Sequence, residues 1–171
     1  VLKFQNPQDI DNFLLKLNKI NLKNLNLKSK KFSNSLYCLF TSGSTGNPKG
    51  IINKEYSLIN RIEWMYNNFH FDKNNNFFHK TPYTFDVSIW ELILPIIKNS
   101  SVVISDHTKN TNPKYLYNKI VEQKVTIIHF VPSILRIFLN FFENEKKKYF
   151  LSSLRYVICS GENLDDDLIK K

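Results

Sequence analysis

The chain has 171 residues, of which 42% are hydrophobic and 14% aromatic, and its formal net charge is +9. This length and apolar content suit one globular domain with a sizeable core, and no apolar run reaches the length of a membrane span. The lysines are scattered among asparagines, which indicates a basic surface rather than a nucleic-acid interface. We therefore expect neither nucleic acid nor a membrane as a partner.

The two cysteines, Cys38 and Cys159, lie in apolar runs that are typical of buried strands. We expect both to be reduced core residues of a cytoplasmic protein, with a disulfide less favoured and a metal site least favoured. The densest basic cluster is the lysine triplet at residues 146–148, which follows Glu143 and Glu145. This pattern is typical of a solvated helix end.

In chain order, the pattern of the first segment indicates a structural element rather than a binding or catalytic site. Pro7 suits the first turn of a helix, and four apolar residues follow at helical spacing: Ile10, Phe13, Leu14 and Leu17. Residues 21–31 contain leucines but no capping residues, which indicates a variable loop.

Residues 37–50, with the sequence YCLFTSGSTGNPKG, are the most informative stretch. Residues 37–40 predict a buried strand, and a loop of glycines and hydroxyl side chains follows it. Glycines let backbone N–H groups converge on an anion, and a lysine adds positive charge, so the loop predicts phosphate binding. The residues involved are Thr41, Ser42, Gly43, Ser44, Thr45, Gly46 and Lys49.

The alternative interpretation of this loop is a solvated turn between two strands, because Ser/Gly clusters are common in loops. The apolar strand before the loop and the lysine after it favour the phosphate interpretation. An ordinary P-loop NTPase is disfavoured, because no Gly-Lys-Ser/Thr follows the first glycine at the required spacing.

Hydrophobic periodicity predicts alternating strands and helices downstream of the loop. Residues 51–52 predict a return strand, and residues 55–69 predict a helix in which Met65 and Trp64 serve packing. Further strands are predicted at residues 77–79, 101–105, 125–130 and 154–159, and further helices begin near Asp86, Pro113 and Pro132.

Asn112 is expected to cap the helix that begins at Pro113, with Leu116, Tyr117, Ile120 and Val121 facing inward. The alternation of strands and helices predicts an α/β fold, with a mostly parallel sheet flanked by helices on both faces. Ligands are then expected at the carboxyl ends of the strands.

Asp86 lies between Phe85 and Val87, directly before an apolar helix. By base rate, an aspartate in this place is most often an N-cap. A carboxylate in an apolar pocket is costly unless a cation meets it, so an ammonium ligand is the functional alternative.

Six segments resemble a known family. The loop TSGSTGNPKG at residues 41–50 closely resembles the phosphate loop of the adenylate-forming (AMP-binding) superfamily. The other segments resemble amino-acid adenylation domains of non-ribosomal peptide synthetases. They are NRIEWM at residues 60–65, KTP at 80–82, FDVSIWE at 85–91, HFVPS at 129–133 and CSGE at 159–162.

The resemblance covers about residues 36–164. It implies that residues 1–171 are a partial AMP-binding domain, truncated at both ends and forming an incomplete part of the large N-terminal domain. It also implies that Thr41 and Lys49 are catalytic and that Thr41 reaches Mg²⁺. Ser160, Gly161 and Glu162 are implied to line the nucleotide side of the cleft.

The resemblance also implies a substrate pocket in which Asp86 binds the α-amino group of an amino acid. The implied pocket residues are Asp86, Val87, Trp90, His129, Ile158 and Ser160. This partial set resembles that of serine-activating domains. A side chain as small as that of serine would leave room for Trp90 to fill, and His129 and Ser160 offer hydrogen bonds to a hydroxyl group. Without the resemblance, His129 is better interpreted as a satisfied histidine of a strand.

The implied reaction is attack by an amino-acid carboxylate on ATP, with Mg²⁺, to give aminoacyl-AMP and pyrophosphate. Transfer to the phosphopantetheine thiol of a peptidyl carrier domain follows. Because the family's later motifs lie outside this sequence, we expect the chain to need the C-terminal part of the domain and to be inactive alone. An acyl-CoA or aryl-acid ligase and a non-catalytic pseudoenzyme stay open as alternatives.

Overall fold

The computed structural model describes residues 35–42, 46–144 and 151–171. Three sets of predicted features lie outside these ranges. They are the N-terminal scaffold, the lysine cluster at residues 146–148, and Gly43, Ser44 and Thr45 of the phosphate loop.

Strands and helices alternate in the predicted order. The strands are β1 (Ser35–Thr41), β2 (Lys49–Lys54), β3 (Asn76–His79), β4 (Ser101–Ile104), β5 (Ile127–Phe130) and β6 (Tyr156–Cys159). The helices are α1 (Glu55–Phe69), α2 (Val87–Ile97), α3 (Pro113–Glu122), α4 (Pro132–Asn144) and α5 (Asp166–Lys170). Within the described ranges, no helix is both long enough and apolar enough to cross a membrane.

Four of the strands form a sheet in the order β4-β3-β5-β6, and every neighbouring pair is parallel. A helix connects each strand of this sheet to the next one along the chain. The predicted α/β class with a parallel sheet is therefore confirmed. The carboxyl ends of β3, β5 and β6 meet at one edge of the sheet, which is where the candidate site lies.

Side chains of the central strands alternate between two hydrophobic cores. Phe77 and Phe78 are each 1% exposed, yet they belong to different cores. Phe78 packs with Leu116 of α3 and Phe138 of α4, whereas Phe77 packs with Met65 of α1 and residues of α2. Helices therefore cover both faces of the sheet, as predicted.

Helix α3 begins as its sequence predicts. The side chain of Asn112 accepts a hydrogen bond from the backbone N–H of Tyr115 at 3.0 Å, and the proline follows at the first helical position. Leu116 and Ile120 are fully buried, as expected. Val121 is 45% exposed, so its predicted inward orientation is wrong, because each residue turns the helix by about 100°.

Strands β1 and β2 pair with each other in an antiparallel hairpin and belong to a second sheet. The strands predicted at residues 37–40 and 51–52 are thus confirmed, but the predicted burial of the first is wrong. Phe40 is 69% exposed and Cys38 is also exposed. Within the described part of the chain, β1 has only β2 as a strand neighbour, so its side chains are incompletely covered.

Strand β4 is an edge strand, and Ile104 is 69% exposed. One further burial prediction needs correction, that of Cys159. Cys159 is only half-buried, although both cysteines are free thiols as expected. Trp64 is 46% exposed and packs on the surface, edge-on against Phe69, with the guanidinium of Arg61 4.9 Å from its ring.

The two neighbouring residues Ile120 and Val121 test the burial pattern of α3. We expect Ile120→Ala to lower the free energy of unfolding by about 2–5 kcal/mol, because it leaves a cavity in the core. The matched change Val121→Ala should cost less than about 1 kcal/mol, because the side chain is partly in solvent. Urea unfolding followed by circular dichroism measures both values. Equal losses would contradict the packing described for this helix.

Candidate functional site

Three predicted site residues, Asp86, His129 and Ser160, converge with Lys80, which was not predicted, where three parallel strands end. Lys80 follows β3, His129 lies near the end of β5, and Ser160 follows β6. Asp86 precedes α2, the helix that follows β3. Their convergence follows from the parallel sheet, because the carboxyl ends of its strands share one edge.

Two cavities open at this edge. The Trp90 cavity has a volume of about 470 Å³, and the His129 cavity has a volume of about 570 Å³. Trp90 lines only the first of these two cavities, and His129 lines only the second. Both are lined by Asp86, Val87, Ser160 and Gly161. The structure therefore brings most of the predicted amino-acid pocket together.

A third cavity, of about 310 Å³, lies between Asp86 and the β1–β2 hairpin. Because this hairpin carries the predicted phosphate loop, we call it the phosphate hairpin. It is lined by Thr41 of β1 and Ile51 of β2 as well as by Asp86. The hairpin register places Thr41 opposite Lys49, and the Thr41 hydroxyl donates a hydrogen bond to the Lys49 carbonyl at 3.4 Å. The strand that leads into the phosphate loop and the carboxylate of the predicted substrate pocket thus share one cavity.

Asp86 occupies the N-cap position of α2, but its side chain makes no capping hydrogen bond. Its backbone is already helical, with φ −61° and ψ −30°, whereas a capping residue usually has extended dihedrals. The carboxylate is exposed and lines all three cavities. The N-cap interpretation and the expected burial of Asp86 are therefore both wrong, because the residue faces open cavities.

Tyr37 of β1 lies near Asp86 and lines the Trp90 cavity with it. Burial raises the pKa of the Tyr37 phenol, and the negative charge of Asp86 adds to this effect. The phenol therefore stays protonated at neutral pH and can donate a hydrogen bond. Tyr37 was not predicted as a site residue from the sequence, because an aromatic residue in an apolar strand is typical of a core.

Sequence analysis also gave no role to Glu91, although it makes many hydrogen bonds. This side chain of α2 is 1% exposed. Its Oε2 accepts from His79 Nδ1 at 2.8 Å and from the backbone N–H groups of Lys80 and Thr81 at 3.2 and 3.1 Å. Its Oε1 accepts from the Thr81 hydroxyl at 2.6 Å. These bonds fix the turn that follows β3 and leads to Asp86.

His129 is 2% exposed, and its Nε2 lies 2.8 Å from Ser160 Oγ. Its Nδ1 has no hydrogen-bond partner among the described residues, and Glu91 Oε1 lies 3.9 Å from it. Burial lowers the pKa of His129 to about 4, although the charge of Glu91 opposes the shift. The imidazole is therefore neutral at physiological pH.

Trp90 packs against this histidine. The two rings are edge-on, with centroids 6.1 Å apart, and Trp90 is 4% exposed. Its indole nitrogen is buried and has no hydrogen-bond partner in the described part of the structure. Ile158, the strand neighbour of His129, is 7% exposed and packs in the same core as Trp90, so it supports the pocket from below.

Lys80 adds a cation to the His129 cavity, which it helps to line. The residue is only 8% exposed, and its ammonium nitrogen lies 4.7 Å from the centre of the Phe130 ring. Burial lowers the pKa of Lys80, and Glu91 opposes this shift. The Asn110 amide donates a hydrogen bond to the Lys80 carbonyl and so helps to hold the turn.

Of the remaining predicted residues, Gly161 lines two of the cavities, whereas Gly46, Glu162, Ser42 and Lys49 line none of the three. Gly46 and Gly161 have φ of +80° and +91°, a conformation that favours glycine. The Glu162 carboxylate accepts from the backbone N–H and the hydroxyl of Ser133, at 2.9 and 3.0 Å, and so holds the start of α4. Ser42 and Lys49 are both exposed.

With this geometry in place, comparison with known proteins decides the family. The profile of the AMP-binding enzyme family matches residues 6–171. The chain belongs to this family. The resemblance to adenylation domains of peptide synthetases is confirmed by its relatives.

The chain is 38% identical over 138 residues to vanchrobactin synthetase VabF of Vibrio anguillarum, a match that covers 80% of this chain and 5% of that protein. It is 40% identical over 134 residues to zwittermicin A synthase ZmaJ of Bacillus cereus, covering 78% of this chain and 26% of that protein. The chain thus spans only a small part of the length of these relatives.

The fold is also found in solved structures. One is the Vibrio cholerae adenylation domain AlmE in complex with glycyl-adenosine-5'-phosphate. Its similarity to this chain has a TM-score of 0.69 and 24% sequence identity, and covers 80% of this chain and 25% of AlmE. At this identity the similarity concerns the fold alone, and it confirms the α/β architecture.

The low pKa of His129 predicts a pH dependence of stability. The unfolded chain binds a proton at this residue near pH 6.5, whereas the folded chain does so only near pH 4. The contribution of neutral His129 to the free energy of unfolding is therefore fully present above pH 6.5. It is lost as the pH decreases towards 4, by up to about 3 kcal/mol. Urea unfolding of the chain and of His129→Gln at pH 7 and 4.5 isolates this contribution. An equal loss in both proteins would contradict the buried neutral state.

Proposed function

We propose that this chain supplies the phosphate hairpin and part of the substrate pocket of an amino-acid adenylation domain in a peptide synthetase. The proposal depends chiefly on one observation, the position of Asp86. Its uncapped carboxylate lines a cavity together with Thr41 of the phosphate hairpin and two more with Ser160. A substrate held at Asp86 would therefore lie between the nucleotide side and the polar groups at the sheet edge.

An amino acid suits this site better than a fatty or aryl acid. A carboxylate that caps no helix and lines open cavities is suited to an ammonium group, since charge-assisted hydrogen bonds are the stronger kind. A substrate without an amino group would leave Asp86 unused. AlmE, which shares the fold, was solved with an aminoacyl adenylate. These points favour amino-acid activation over the acyl-CoA or aryl-acid ligase alternative.

Serine is the favoured substrate within this proposal. The hydrogen-bonded pair of His129 and Ser160 offers polar partners to a hydroxyl group. Trp90 lines the Trp90 cavity together with Asp86 and Ser160, and we infer that its indole ring favours a small side chain there. On binding, a substrate hydroxyl group gives up its hydrogen bonds with water, and bonds to His129 and Ser160 would replace them. A longer apolar side chain would instead collide with the indole ring of Trp90.

The residues near the hairpin suit ATP and Mg²⁺. Hydroxyl groups of Thr41 and Ser42 can donate to phosphate oxygens, the Thr41 oxygen can reach Mg²⁺, and Lys49 supplies a positive charge. Bound Mg²⁺ would neutralise phosphate charge. Ser160, Gly161 and Glu162 belong to the nucleotide side in this proposal, and the adenylate would be formed in the cytoplasm, where ATP is present. The phosphopantetheine thiol of a carrier domain would then accept the aminoacyl group.

Removal of the Asp86 charge tests the amino-acid site. In an intact adenylation domain that contains this sequence, we expect Asp86→Asn to raise the KM for serine about 10- to 100-fold, because a charge-assisted hydrogen bond is lost. The KM for ATP should stay the same. Serine-dependent ATP–pyrophosphate exchange measures both constants.

Asp167→Asn is the matched control, because Asp167 is exposed on α5 and lines none of the three cavities. An unchanged KM for serine in the Asp86 variant would contradict the proposed site. Full use of fatty or aryl acids by that variant and by the unaltered domain would favour the ligase alternative, and no exchange with any acid would favour a pseudoenzyme.

We also expect the 171-residue chain alone to give no serine-dependent exchange, because we propose that it is only part of a domain. Extension of the chain by both the N-terminal and the C-terminal parts of an adenylation domain should restore exchange, since the C-terminal part is proposed to complete the nucleotide site. Exchange assays with and without these parts measure the difference. Turnover by the chain alone would show that its residues suffice for catalysis.

A further inference from the structure

The buried residues Glu91 and His129 lie in series with Ser160, which is half-buried and lines the pocket. Glu91 Oε1 is 3.9 Å from His129 Nδ1, and His129 Nε2 is 2.8 Å from Ser160 Oγ. Glu91 and His129 are 1% and 2% exposed, so solvent does not separate them. Ser160 is the member of the series that lines both the Trp90 cavity and the His129 cavity.

The state of the imidazole follows from its neighbours. Burial holds the pKa of His129 at about 4, so one of its ring nitrogens carries hydrogen and the other accepts. Nδ1 has no hydrogen-bond partner in the described part of the chain and faces a carboxylate oxygen, which can only accept. At 3.9 Å the attraction is electrostatic, and it favours the hydrogen on Nδ1.

The tautomer then sets the direction of the next hydrogen bond. When Nδ1 carries the hydrogen, Nε2 accepts from the Ser160 hydroxyl, whose proton is thereby not available to a ligand. The lone pairs of Ser160 Oγ then remain as acceptors for a ligand. With the opposite tautomer, Nε2 would donate to Ser160, and the serine hydroxyl would be free to donate to a ligand instead.

We propose that Glu91 is a positioning residue for specificity, which acts through the tautomer of His129 to make Ser160 an acceptor for a hydroxyl group on the substrate side chain. The inference depends on the proposed function for the identity of the ligand as an amino acid. The tautomer itself does not depend on it. Glu91 touches no substrate in this proposal, because it acts only through the histidine.

The tautomer can be measured directly in the full chain. Ring nitrogen chemical shifts of ¹⁵N-labelled protein at pH 7 distinguish the protonated nitrogen from the accepting one, and His129→Gln identifies the signals of this histidine. We expect Nδ1 to carry the hydrogen. In Glu91→Gln the new amide can donate towards Nδ1, so we expect the hydrogen to move to Nε2. The matched change Glu122→Gln, at an exposed ion pair on α3, should leave the tautomer as it is.

Ligand preference provides the second measurement. We expect the chain to bind serine about three- to tenfold more tightly than O-methylserine, because only serine can donate to Ser160. In Glu91→Gln this ratio should fall towards one, since Ser160 then donates and both ligands can accept. Chemical-shift titration gives both dissociation constants. A purely structural effect of the substitution would weaken both ligands and leave their ratio unchanged.

The possible results distinguish a failure of the inference about Glu91 from a failure of the proposed function. A hydrogen on Nε2 in the unaltered chain overturns the inference, whether or not amino acids bind. The expected tautomer with an unchanged ligand ratio in Glu91→Gln also overturns it. The expected tautomer with no binding of either ligand contradicts the substrate assignment and the proposed function in this chain. The expected tautomer together with the loss of selectivity supports the inference.

Discussion

The arrangement of the site depends on one buried carboxylate. Glu91 would be costly in the interior if its oxygens were unpaired, yet they accept from a histidine, a hydroxyl group and two backbone N–H groups. Three of these donors belong to the turn after β3, so the carboxylate ties this turn to α2. The turn after β3 and helix α2 are thus held together, and this fixes the position of Asp86, which lies between them, at the cavities.

Two carboxylates on the same segment therefore differ in role because their surroundings differ. Asp86 and Glu91 are five residues apart, which places them about 140° apart around a helix. Glu91 turns towards the interior and finds four donors, whereas Asp86 stays exposed beside open cavities and caps no helix. The hydrogen-bonding capacity of Glu91 is satisfied within the fold, so Glu91 stabilises the structure. Asp86 has hydrogen-bonding capacity left for a ligand.

Much of the fold could be predicted from the sequence, because periodicity reports local contact with a core. The apolar pair Phe77 and Phe78, and the cap and proline of α3, are local signals, and the structure confirms the strand and the helix that they predict. Burial of β1 was predicted wrongly, because an apolar sequence indicates a strand but not which neighbours cover it. Phe40 and Cys38 have the composition of core residues without the described partners that would cover them.

The site was predictable to the extent that its residues belong to recognisable segments. Asp86, Trp90 and Ser160 could be placed from such segments, whereas the network around Glu91 could not, since it joins residues on β3, α2 and β5 through contacts that only the folded sheet creates. His129 shows this limit most clearly. Its position and burial follow from its strand, and burial keeps its imidazole neutral. The direction of its hydrogen bond, in our proposal, depends on a carboxylate 38 positions away in sequence, by the difference between residues 129 and 91. The chemistry of such a pocket is therefore a property of the tertiary structure, in which a charge that never touches the ligand can decide which groups the pocket accepts.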